Sequence, residues 1–262
     1  MNTNKNSYIF IYASVMVIIV AFLLAFVSSA LKPIQQKNVE LDKKKQVLAA
    51  LNIFEKDAEA AYNTYVKADQ LLNADGTVAA ENGGFAVENA AVSADNLPLY
   101  VCEVEGETKY VLPLYGAGLW GPIWGYVALN ADKETIYGVY FSHAGETPGL
   151  GAEITNRDKF QVPFIGKKAL NTAGDVVISV VKNGKVQNAE CEVDGISGGT
   201  ITSNGVNAML KDGIGLYKAF LTKGACAAKA ECSEHTECAE QAKECGACPN
   251  SVPAAKIEVV NQ

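Results

Sequence analysis

The chain has 262 residues, 49% of them hydrophobic, enough for one medium-sized domain with appendages. Its 22 Lys and Arg against 29 Asp and Glu leave a net charge of −7. With no basic cluster outside the flank of its apolar N-terminal run, it lacks the electrostatic footprint of a nucleic-acid binder, and that class is set aside.

From Tyr8 to Leu31 the sequence runs for 24 residues without a charge, long enough to cross a bilayer as a helix. Ser28-Ser29-Ala30 resembles a signal-peptide cleavage site, but the apolar run is too long for a secretory signal core and reads as an uncleaved anchor over residues 1–35. Lys32, Lys37, Lys43, Lys44 and Lys45 follow the span and only Lys5 precedes it, so the charge rule puts the bulk of the chain in the cytoplasm. Residues 36–72 repeat apolar side chains (Val39, Val47, Leu48, Leu51, Phe54, Tyr62) near helical spacing and read as a helical stalk, broken at most once.

A domain over residues 73–222 follows. Asn73 to Ala94 is rich in Ala, Gly, Asn and Asp and reads as turns. Six β-rich runs come next, beginning at Leu97, Lys109, Ile123, Thr135, Asp175 and Ala189. A helix is expected from about Ser203 to Leu221, with Val206, Met209, Leu210, Ile214, Tyr217 and Phe220 on one stripe. The expected class is α+β: a twisted, mainly antiparallel sheet with packed helices, preceded by one N-terminal transmembrane helix. In the tail, residues 223–262, lie Cys226, Cys232, Cys238, Cys245 and Cys248; Cys102 and Cys191 bring the total to seven. Cys245 and Cys248 alone have metal-like spacing and lack a second pair, so no metal site is assigned; outside the cytoplasm these thiols would form disulfides of unknown pairing.

Three segments carry chemistry. DGISGGTITS, residues 194–203, sets hydroxyls and glycines ahead of a helix, where unpaired amides and the positive end of the dipole suit a phosphate. The same residues also read as a plain helix cap, with Thr202 or Ser203 accepting a backbone N–H. GLWGPIWGY, residues 118–126, turns between strands and holds Trp120 and Trp124, either of which could wall an aromatic ligand or fill a core. HAGETPGLGAE, residues 143–153, forms a rigid irregular loop whose amides could bind a ligand edge; His143 and Glu146 are a titratable pair within it, too few to make an acid/base site.

Together and in this order, the segments resemble the FMN-binding domain family and, within it, the C subunits of the sodium-translocating NADH:quinone reductases. That resemblance implies a flavinylation motif whose last Thr, here Thr200, carries FMN through a phosphoester, with Ser197, Gly198, Gly199 and Thr202 around it. It further implies flavin contacts from Trp120, Glu146, Thr147, Gly149 and Leu150, and recognition of Asp194 by a flavin transferase that uses FAD. The protein would be an electron-carrying component of a six-subunit complex in the cytoplasmic membrane, coupling NADH oxidation and quinone reduction to sodium export. Its flavin domain would face outward, against the charge rule. The G subunits of the Rnf-type complexes share the anchor, the ETPGLG loop and the flavinylation motif. A membrane-tethered protein holding a phosphorylated ligand reversibly, or a thiol-redox arm in the tail, are the readings from other classes. The sequence departs from the family at Gly199, where Ala is usual, and in the cysteine tail.

Overall fold

Forty-five residues, Asn6–Ala50, form one helix, α1, in the structure, a computed structural model that describes residues 6–223, with side chains from residue 8 onward. No glycine interrupts this stretch, and its single proline, Pro33, is carried inside the helix. At 1.5 Å per residue α1 is roughly 68 Å long, about twice the hydrocarbon thickness of a bilayer. Its two halves behave differently. From Ile9 to Ile34 large apolar side chains are exposed, whereas Val47, Leu48, Ala50 and Leu51 are buried. Among the described residues this is the one helix long and apolar enough to span a membrane.

The chain breaks after α1, with Asn52 in the left-handed region at φ 60°. Asp57 then caps α2 (Ala58–Tyr65) by accepting the N–H groups of Glu59 and Ala60. The helical character expected as far as Leu72 ends here. Val66–Leu72 is strand β1, hydrogen-bonded to β3 (Leu97–Val104) on one side and β2 (Val78–Ala80) on the other. Pairing with β3 and burial of Leu72 in the core outweigh the modest helix propensity of VKADQLL.

With β4 (Glu107–Ala117), β5 (Pro122–Leu129) and β6 (Ile136–His143) these strands complete an antiparallel sheet of order β2-β1-β3-β4-β5-β6. Both faces are covered, which is why the strands read as nearly continuous apolar runs. Tyr100, Cys102, Val111, Tyr126 and Ala128 point to the face packed by α2 and the end of α1. Leu97, Leu99, Leu112, Leu114, Ile123, Val127 and Phe141 alternate with them and form the larger core on the opposite face. The two later β-rich runs do not join this sheet. They contribute only three residues each, β7 (Ser179–Val181) and β8 (Glu192–Asp194), paired parallel to one another.

Helix α3 (Thr200–Leu216) covers the larger core, three residues earlier than its stripe predicted, and α4 (Lys218–Thr222) follows after a stop at Tyr217. Val206, Met209, Leu210 and Ile214 are buried, each contributing about 2 kcal/mol of apolar burial. Two glycines inside α3 have a packing use. A Cβ at Gly213 would strike the Leu114 side chain, and one at Gly205 would strike the Ala117 carbonyl, so α3 lies against β4 at backbone distance. Cys102 and Cys191 are free thiols; the five tail cysteines lie outside the described residues.

Candidate functional site

Three chain turns meet at the N-terminus of α3: residues 118–121 between β4 and β5, residues 144–151 after β6, and residues 195–199 after β8. The last turn is held by backbone hydrogen bonds and by one side chain of α3. Gly198 takes φ +77°, the Gly199 N–H reaches the Ile196 carbonyl at 3.1 Å, and the Gly195 N–H reaches Val181 at 2.7 Å. Ser203 closes it by accepting the Ile196 N–H and donating to the Gly199 carbonyl, both at 2.9 Å.

This corrects the reading of Thr202 or Ser203 as a cap. The capping position belongs to Gly199, which has no side chain to offer, and both hydroxyls are buried inside the first turn. The amides of Thr200, Ile201 and Thr202 therefore begin the helix without a side-chain acceptor. Thr200 is exposed, and its hydroxyl has no partner among the described residues.

Glu146 is the centre of the arrangement. It is only 5% exposed, accepts the Trp120 N–H at 2.9 Å with Oε1, and accepts the Thr202 hydroxyl at 2.6 Å with Oε2. Burial opposes its charge, yet the Thr202 hydroxyl, the N–H groups of Trp120 and Leu119 and the nearby His143 hold it below the usual glutamate range. Gly118 and Gly151 make room for it, since a Cβ at either would overlap a carboxylate oxygen. His143 and Glu146 are not an acid/base pair: the Glu146 N–H donates to His143 Nδ1 at 3.1 Å, a turn contact, while the carboxylate is engaged elsewhere.

The end of the loop after β6 is tied to itself by backbone bonds. Leu150 and Ala152 both donate to the Thr147 carbonyl, and Glu153 donates to Leu150. What the loop offers outward is the half-exposed side chain of Leu150, beyond Gly149 at φ +75°. Leu119 and Trp120 of the first turn and Ile201 at the start of α3, exposed by 47, 70 and 58%, are the other large exposed apolar side chains here. The two tryptophans part company. Trp120 stands at the site, whereas Trp124 projects to the other face of the sheet and donates its Nε1–H to Gln46 of α1 at 3.0 Å.

Two hollows open beside the 195–199 turn, and Thr200 lines the smaller of them. One of about 150 Å³ is lined by Lys182, Asn183, Ser197, Gly198, Ser203 and Thr200 itself. A larger one of about 570 Å³ runs past Gly149, Glu153, Lys159, Phe160, Asp194 and Ser197. Lys159, Lys182 and Asn183 were not legible in the sequence, because single polar residues carry no spacing signal.

A family model of the FMN-binding domain matches residues 118–215, a span holding all three turns. The C subunit of the Na(+)-translocating NADH-quinone reductase of Pasteurella multocida is 35% identical over 211 residues, covering 71% of this chain and 80% of that protein. Its counterpart from Pseudomonas aeruginosa is 29% identical over 260 residues, covering 85 and 98%. The crystal structure of the C subunit from Parabacteroides distasonis superposes with TM-score 0.69 at 44% identity, covering 73% of this chain and 97% of that one. The chain belongs to the family of Na(+)-translocating NADH-quinone reductase C subunits. The crystal structure of NqrC from Shewanella oneidensis superposes with TM-score 0.61 at 25% identity, covering 71 and 100%.

As a C subunit, the chain is a component of an oxidoreductase complex, and the bare apolar half of α1 fits a single-pass membrane anchor. Its domain is of the FMN-binding type, and the residues fit that group. The uncapped first turn of α3 would meet the phosphate, with Lys182 close by, and the hollows and the exposed Trp120 and Leu150 suit an apolar ring.

The buried carboxylate carries a pH signature. Its folded pKa lies below the ordinary value of 4.5, so ionised Glu146 stabilises the protein fully above that value. The contribution disappears as pH falls through the lower folded value. Glu146→Gln is expected to flatten the acid limb of stability from about pH 4.5 downward. Urea midpoints of the detergent-solubilised chain across that range check this; parallel acid limbs in the two proteins refute it.

Proposed function

We propose that the chain carries FMN covalently, esterified through its phosphate to Thr200 Oγ1, and relays electrons in a membrane complex that couples NADH oxidation and quinone reduction to sodium export. The observation that supports this best is the exposed Thr200 hydroxyl at an uncapped helix N-terminus, beside a hollow that Lys182 and Asn183 also line. Attachment requires a flavin transferase with FAD as donor. The Thr200 oxygen attacks the FMN-side phosphorus and a P–O bond forms. The pyrophosphate P–O bond breaks, AMP leaves with the electron pair, and the hydroxyl proton goes to a base of the transferase or to water. Asp194, exposed on the approach to the turn, is the recognition element for that enzyme.

FMN held there supplies one- and two-electron transfer at a fixed place. The chain's own contribution is to orient it: the α3 amides face the phosphate, Trp120 and Leu150 wall the ring with Thr147 and Gly149 shaping the loop, and Ser197, Gly198 and Gly199 keep the backbone close. A covalent bond suits a domain on the outer face of the cytoplasmic membrane, where a lost cofactor cannot be replaced. The orientation follows the family against the lysines that flank α1. The uncharged span from Tyr8 to Leu31 offers no ion path, so sodium movement belongs to the other five subunits. The relatives named above are all C subunits of quinone reductases, which favours this role over that of the G subunit in an Rnf-type complex.

The test is the mass of the tryptic peptide 186–211 from native membranes. The expected mass is that of the peptide plus FMN less water, with fragments that assign the increment to Thr200. An unmodified peptide throughout refutes the covalent reading and leaves reversible binding of a phosphorylated ligand.

A further inference from the structure

The run from Ser197 to Ser203 offers four hydroxyls within seven residues, and the fold treats them differently. Ser203 is 4% exposed and committed to Gly199 and Ile196. Thr202 is 1% exposed and committed to Glu146. Thr200 and Ser197 are exposed, and only Thr200 lies within the helix, where its position follows the first turn. The orientation of that turn depends on the groups that hold Thr202.

We infer that Glu146 is the positioning residue of this site: its carboxylate grips Thr202 and the 118–121 turn together, fixing the first turn of α3 so that Thr200 is the hydroxyl presented for modification. Three observations carry the inference. Oε1 and Oε2 serve two different segments, Trp120 and Thr202, so the side chain joins elements that are 26 and 56 residues away along the chain. Two glycines, Gly118 and Gly151, clear the space it occupies. The Glu146 backbone N–H is tied to His143 Nδ1, which fixes the residue from its own side as well. Glu146 thus acts on Thr200 through Thr202, two residues away on the first turn of the same helix. The resemblance implies a flavin contact for Glu146; each of its oxygens also accepts from a protein donor, Trp120 or Thr202.

The inference rests on the reading that Thr200 is the flavinylated residue, and the experiment separates the two. Full-length wild type, Glu146→Ala, Thr202→Val and Thr202→Ser are each co-expressed with a flavin transferase. For every protein the flavin per folded chain and the modified residue are read from peptide 186–211, alongside the thermal midpoint. Thr202→Ser keeps the donor and is expected to match wild type. Thr202→Val and Glu146→Ala are each expected to lower flavin at Thr200 per folded chain by about tenfold, the scale of one lost buried hydrogen bond. Combining the two should add little further loss, because they sever the same link.

Wild-type flavin content at Thr200 in both Thr202→Val and Glu146→Ala overturns the inference, even if both melt earlier, since the residues then serve stability alone. A loss in Thr202→Ser equal to that in Thr202→Val also overturns it, because the hydroxyl would not be the active part. If Glu146→Ala does not fold, the two Thr202 variants decide the question in the same terms. A wild type that itself carries no flavin on the peptide overturns the reading of Thr200 and with it the inference.

Discussion

Thr200→Ala is expected to leave a folded chain from which flavin is absent altogether. The substitution touches nothing the fold needs: the side chain is exposed, its hydroxyl has no protein partner among the described residues, and Ala is the better helix former. Stability should stay within about 0.5 kcal/mol of wild type. The ester oxygen, however, has no substitute. A tether holds its cargo at an effective concentration on the order of millimolar, and without it the same weak contacts face dilute free flavin. In membranes carrying the complex, the fluorescent band on denaturing gels disappears and NADH-driven quinone reduction falls to background. Thr200→Ser keeps an oxygen at the same place and should restore the band, whereas Ser197→Ala should leave it at full strength. A band that survives in Thr200→Ala would move the attachment to another residue.

The first four β-rich runs of the domain were legible from their β-branched and aromatic composition between turn residues, the membrane span from its uncharged length, and α3 from its helical period. What sequence could not reveal lies in pairings between distant segments. Val66–Leu72 has no strong alternation and becomes a strand because β3 needs a neighbour. The runs around Ser179 and Glu192 look as strand-like as any, but the loop crossings before them carry them out of the main sheet. At the site the motif glycines were visible, but their reasons were not. Gly118 and Gly151 are small because one carboxylate sits between them, a fact that exists only once three turns have met. A charged residue in a glycine loop likewise gives no hint that Glu146 holds Trp120 and Thr202. The separation of Trp120 from Trp124 follows from strand alternation, since Trp124 shares parity with Tyr126 and Ala128 and so faces α1.

Gly151→Ala should damage the site as heavily as any substitution short of removing Thr200, and by a route that can be dissected. A Cβ here would stand 2.5 Å from Thr202 Oγ1 and closer still to Glu146 Oε2, two atoms locked to each other by a 2.6 Å hydrogen bond. Neither is the loose end of a flexible chain, so the bond must open or the loop must move. Overpacking costs about 1 to 3 kcal/mol, and stranding a buried carboxylate without its donor adds a similar amount. At about 2 to 4 °C per kcal/mol for a chain of this size, the thermal midpoint falls by roughly 10 °C. Flavin at Thr200 should fall with it, since the first turn of α3 is displaced. Gly145→Ala is the control from the same loop: nothing lies within 4 Å of its added Cβ, and the midpoint should not move. In a Thr202→Ala background one of the two overlapping atoms is gone, so Gly151→Ala should cost markedly less than in wild type. Equal costs in the two backgrounds would mean that the glycine serves backbone conformation alone, and that the space between Glu146 and Thr202 is not what position 151 protects.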